Sequence, residues 1–98
     1  MDITITKTQN SQLQKVDFDN LPFGKLFSDH MLIADYNNGE WHDVRIEPFH
    51  SFNLHPATMA LHYGQAIFEG MKASKMMDGT PVLFRPEIHA SRFNNSAR

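Results

Sequence analysis

Apolar and polar positions alternate, cluster and break along this chain in a way that predicts two hairpins and two helices after a polar arm. Near the start, Ile3 and Ile5 alternate with polar neighbours, and Lys7-Thr-Gln-Asn-Ser-Gln-Leu-Gln-Lys15 then offers little to bury. Residues 1–17 are therefore expected to form an arm, frayed or laid along another surface, with the domain proper over 18–98. Met31, Leu32, Ile33 and Ala34 mark a strand over 29–36, and Asn37-Asn-Gly39 marks a hairpin turn because Asn and Gly tolerate positive φ. In the return strand over 41–49, Val44 and Ile46 alternate with Arg45 and Glu47, which predicts one inward and one solvated face.

Leu54-His-Pro56 introduces a short helix, with Pro56 in its first turn, Met59, Ala60 and Leu61 as helix formers and Gly64 as its stop. The chain extends again through Met71, Ala73 and Lys75, turns at Asp78-Gly79 and returns through Val82, Leu83 and Phe84 as a second hairpin. Pro86 and Glu87 open a C-terminal helix, the proline supplying φ for the first turn and the carboxylate facing the positive end of the dipole. No strong stop follows Asn94-Asn95, so the last helix reads as truncated. The pattern as a whole predicts an α+β fold: two β-hairpins in a mainly antiparallel sheet, a short central helix and a C-terminal helix.

Composition narrows the function classes. In 98 residues, 41% hydrophobic content with eight phenylalanines argues for a globular chain with a real core, although so short a chain buries only roughly 60 to 65% of its unfolded surface. A net charge of -2 provides no field for nucleic acid. No cysteine is present, which removes a disulfide frame and a thiolate nucleophile and makes the cytoplasm the default location. No apolar run approaches the roughly 18 residues of a membrane span, and the N-terminus lacks the pattern of a signal peptide. The six histidines show no metal-ligand spacing, and no nucleophile elbow or phosphate loop occurs, so no metal site is expected.

The densest chemistry lies in His62-Tyr-Gly-Gln-Ala-Ile-Phe-Glu-Gly-Met-Lys72, where glycines bracket an apolar run between rings and charges. It admits two readings: a helix end followed by a buried strand with Tyr63 and Phe68 as core, or a wall that presents rings to a ligand. Arg92 follows Ile88 by four residues and lies close to the apolar stripe of its helix, where its guanidinium calls for an anion, either a carboxylate of the protein or a bound phosphate. Phe23, beside Gly24, is either core or pocket.

Leu61-His-Tyr-Gly-Gln-Ala-Ile-Phe-Glu-Gly-Met-Lys-Ala73, together with Phe23-Gly-Lys, Leu54-His-Pro-Ala57, Leu83-Phe-Arg-Pro86 and Phe93-Asn-Asn-Ser-Ala97, resembles the opening part of the branched-chain amino acid aminotransferases of fold type IV. The resemblance implies the small N-terminal domain of a pyridoxal 5′-phosphate enzyme that moves an amino group between leucine, isoleucine or valine and 2-oxoglutarate, working as a homodimer. It implies further that Arg92, in His89-Ala-Ser-Arg92, holds the cofactor phosphate, and that Phe23, Tyr63 and Phe68 line the substrate side-chain pocket. The Schiff-base lysine of that family lies downstream of anything present here, so this chain is expected to carry no catalytic residue and to be inactive alone. Alternatives are another fold type IV enzyme, such as a D-amino acid aminotransferase or aminodeoxychorismate lyase, or a non-catalytic assembly domain.

Overall fold

The strongest local signal, Asn38-Gly39, sits where both residues must adopt positive φ, and in the computed structural model, which describes residues 2–98, they do so at 50° and 85°. That is the geometry of a two-residue turn whose twist suits an antiparallel pair. It joins β2 (His30–Asn37) to β3 (Glu40–Pro48), in register from Asn37 opposite Glu40 to His30 opposite Pro48. The ladder shifts by one residue between Ile33 and Asp35, leaving Asp43 and Val44 to face Ala34. Asp43 absorbs this bulge at φ 47°.

The arm is ordered by pairing. Its β1 (Thr4–Ile5) lies parallel to β3, with Thr4 opposite Arg45 and Ile5 opposite Ile46, giving a three-stranded sheet in the order β1-β3-β2. Beyond it, His30 Nε2 accepts from the Thr8 amide at 2.9 Å, and the Asp29 carboxylate accepts from Ser11 Oγ at 2.5 Å and the Gln12 amide at 3.0 Å. These bonds fix a polar segment that has little apolar area of its own to bury, and they draw the Asp29 carboxyl below its ordinary range, the Ser11 hydroxyl first and the Gln12 amide second.

The expected division of β3 into an inward and a solvated face is not observed. Val44, Arg45, Ile46, Glu47 and Pro48 are all half-buried. Arg45 explains this, because its Nη1 donates to Asp35 at 2.8 Å and its Nε to Glu47 at 3.2 Å, while Glu47 also meets His50 Nε2 at 2.7 Å. The polar face is thus partly covered by its own ion pairs.

Contacts divide the chain into two compact units, Met1–Phe52 and Asn53–Arg98. In the second, Thr58 starts α1 (Met59–His62). Pro56 stands in the preceding turn rather than in the first helical turn, because the Thr58 amide bonds back to the His55 carbonyl at 2.9 Å and delays the start. Gly64, at φ 62°, ends the helix, and the Gln65 amide reaches the Met59 carbonyl at 3.1 Å in the wrap that a left-handed residue permits.

Antiparallel β4 (Ala73–Lys75) and β5 (Pro81–Leu83) form the second hairpin, their turn closed by Gly79 at φ 91° and by the Asp78 carboxylate accepting from the Thr80 amide at 2.9 Å. α2 (Pro86–Ser96) begins on Pro86, as the proline requires, and runs through Asn94-Asn95 without a break. The α+β class and the mainly antiparallel pairing are as expected, in two small sheets rather than one.

The expected closed core is absent: among the described residues no side chain is fully buried. The accessible surface is 9329 Å². Two separate compact bodies of half this mass would expose about 6,900 Å² together. Phe23, Phe52, Phe68, Phe84 and Met77 are all exposed. Short strands and an 11-residue helix supply too little surface to cover eight phenylalanines from within.

Candidate functional site

Glu69 is the most covered acidic group of the second unit's ion pairs, its side chain 13% exposed in a segment with no regular hydrogen-bond ladder. Its cover comes from α2. His89 and Arg92 stand three residues apart and so share one helix face, and both reach the same carboxylate. Arg92 Nε donates to Glu69 Oε2 at 2.8 Å, Nη2 donates to Oε1, and His89 Nδ1 lies 3.0 Å from Oε1. An ionised carboxylate only accepts, so His89 donates to it from Nδ1.

The electrostatics follow from this geometry. The two-pronged bond from Arg92, then the bond from His89, hold the Glu69 carboxyl far below its ordinary value, at about 2, against the opposing effect of partial burial. Arg92 is correspondingly raised, chiefly by the hydrogen bond to Glu69. The pair therefore carries one full charge of each sign throughout the physiological range.

Arg92 remains available to a ligand on one side. A guanidinium has five N–H donors, and Glu69 takes the side-on edge formed by Nε and one hydrogen of Nη2. Among the described residues Nη1 has no hydrogen-bond partner, and the side chain is 61% exposed. The end-on edge, two parallel donors at the spacing of phosphate oxygens, is open. The donor set thus fits a phosphate group, although Arg92 also satisfies the other reading, an internal carboxylate partner.

Tyr63 and Phe68, in the same unit, are 74% and 92% exposed, and residues 63–72 form no strand. Within this chain, then, no buried strand follows α1 and neither ring is covered. Tyr63 follows the last residue of α1, its ring edge-on to His62 at 4.9 Å, and Phe68 immediately precedes Glu69. Phe23 belongs to the first unit, where its fully exposed ring borders an open apolar groove of about 800 Å³ shared with Leu13, Val16, Phe18, Leu26 and Phe27. Gly24, at φ 72°, makes the tight turn that leaves this ring outward.

Glu69 is not among the residues that the sequence nominates for the site. A signal was present: His89 and Arg92 on one face of α2 define a locus for an anion, and Glu69 is the single carboxylate in the apolar stretch from Ala66 to Met71.

No family model matches the chain. Among curated proteins it is 48% identical over 89 residues to a probable branched-chain-amino-acid aminotransferase of Staphylococcus epidermidis, covering 90% of this chain and 25% of that protein. It is 48% identical over 80 residues to the branched-chain-amino-acid aminotransferase of Mycolicibacterium smegmatis, covering 81% of this chain and 22% of that protein. With branched-chain-amino-acid transaminase 1 of Bacillus subtilis it shares 44% over 84 residues, 85% of this chain and 24% of that protein. The chain spans about a quarter of the length of the curated relatives it matches.

Proposed function

We propose, from its homology to the branched-chain-amino-acid aminotransferases, that this chain forms the small-domain part of such an enzyme, which moves an amino group between leucine, isoleucine or valine and 2-oxoglutarate. The observation that carries the reading is the identity of 48% over 89 residues, 90% of the chain. The uncovered apolar surface supports it, since rings that find no cover within the chain are suited to closing against a second protein surface. The reading includes a homodimer acting in the cytoplasm; among the described residues no helix is long and apolar enough to cross a membrane.

Pyridoxal 5′-phosphate, when bound, supplies the electrophilic carbon and electron sink that amino transfer requires. Arg92 would hold its phosphate through the open end-on edge of the guanidinium. Tyr63 and Phe68 offer rigid apolar area to a branched side chain, worth roughly 25 cal/mol per Å² removed from water. Phe23 would contribute a further ring from the Phe-Gly-Lys turn. All five lysines are exposed, and none is hydrogen-bonded within the Glu69–Arg92 cluster, which supports a site whose lysine is supplied by another part of the enzyme. The chain alone is accordingly expected to be inactive.

Two measurements test this. Pyridoxal 5′-phosphate titrated into the chain, with borohydride reduction and mass mapping, should leave no stoichiometric lysine adduct; an adduct on Lys72 would show a self-contained site. A chimera in which this chain replaces the matching part of the Bacillus subtilis transaminase should transaminate leucine. Preference of that chimera for D-alanine would support a D-amino acid enzyme instead.

A further inference from the structure

We infer that Glu69 is a positioning residue for anion recognition, its carboxylate gripping the guanidinium of Arg92 side-on so that the end-on edge faces an incoming phosphate monoester. The inference rests on the reading of Arg92 as the phosphate contact.

Its basis is a division of labour among the donors. An arginine on an exposed helix face samples many rotamers, and an anion that binds it must first freeze them. Here Glu69, itself largely covered and tied as well to His89, holds the Nε and Nη2 donors. Nη1 and the outer hydrogen of Nη2 are left pointing away from the carboxylate, so the two anions would occupy opposite edges of one planar cation. A lysine could not be shared in this way, because an ammonium has no second planar edge. The carboxylate also opposes the approaching phosphate by charge, and the two effects of Glu69 predict opposite outcomes when it is altered. Glu69→Asp keeps the charge and shortens the reach by one methylene. Glu69→Gln keeps the length and removes the charge.

Inorganic phosphate titrated into the chain, followed by ¹⁵N-edited NMR of arginine side chains, separates the possibilities. Positioning predicts that wild type binds phosphate most tightly, and that Glu69→Asp and Glu69→Gln each bind about three- to tenfold more weakly. The Arg92 Nε–H signal should be downfield and slow to exchange in wild type and lose both properties in the variants. Glu69→Asp binding as wild type, with Glu69→Gln binding more tightly, would overturn the inference while leaving Arg92 as the anion contact. Unchanged phosphate binding in Arg92→Gln would instead overturn the reading of Arg92 and the inference with it. The amide spectrum of each variant establishes that α2 is still formed before its binding is compared.

Discussion

Replacing Gly39 by alanine isolates a single physical effect. A Cβ built on Gly39 meets nothing within 4 Å, so no clash accompanies the change. What remains is backbone conformation, because Gly39 stands at φ 85°, where an L side chain is strained. The left-handed region costs a non-glycine residue about 1–2 kcal/mol. Alanine recovers about 0.4–1 kcal/mol of this by restricting the unfolded chain. At the midpoints of those two ranges the balance is about 0.8 kcal/mol against the hairpin, a roughly fourfold shift in its opening equilibrium. Amide hydrogen exchange along the β2–β3 ladder reads that shift directly, and the amides of Ile33, Arg45 and Glu47 should exchange faster by this factor. Asn38→Gly, at φ 50°, provides the matched comparison, since relief of strain and the added freedom of the unfolded chain nearly cancel, and exchange should change little. Unchanged or slower exchange in Gly39→Ala would refute the assignment of the turn and the register that depends on it.

Other consequences are as direct. Glu69 has its pKa lowered from 4.5 to about 2, so the stability it contributes is fully present above about 4.5 and is lost as pH falls through about 2. A ¹³C carboxyl titration of Glu69 with its midpoint at or above 4.5 would count against the clamp. His50, raised above 6.5 by its bonds to the Ser51 carbonyl and Glu47, behaves in the opposite sense, its contribution being present below 6.5 and lost as pH rises through its higher folded value. Asp29→Ala removes the acceptor of Ser11 and Gln12, so trypsin should cleave after Lys15 faster than in wild type, and equal rates would show that β1 and the Thr8–His30 bond hold the arm without Asp29. In the chimeric enzyme, Phe68→Ala should raise KM for leucine by about tenfold while leaving KM for alanine nearly unchanged, as expected for loss of apolar contact to the longer side chain. Equal effects on both amino acids would place Phe68 outside the side-chain pocket.

What the sequence determined by itself was everything that depends on one or a few neighbouring residues. Asn38-Gly39, Asp78-Gly79 and Gly64 were legible as turns and a helix stop because positive φ is a property of the residue that must adopt it. Pro86 marked the start of α2 for the same kind of reason. Pro56 was misplaced by a short distance, because either a turn or a first helical turn satisfies a proline, and a backbone bond from Thr58 to His55 settled the matter.

Only the tertiary structure decided the long-range pairings. Nothing in Thr4-Ile5 specifies a parallel partner 41 positions away at Arg45 and Ile46, since a two-residue strand carries no register of its own. The solvated face expected for β3 was instead half-buried, because Asp35 and His50, distant in sequence or around a corner, supplied Arg45 and Glu47 with partners. In the candidate site, the rings of Phe23, Tyr63 and Phe68 could be nominated from sequence, but their exposure could not, as core and pocket use the same side chains. The clamp of Glu69 on Arg92 lay furthest from view. It joins residues separated by 23 positions, and the preference of a guanidinium for a carboxylate says which groups can pair but not which ones the folded chain brings within reach.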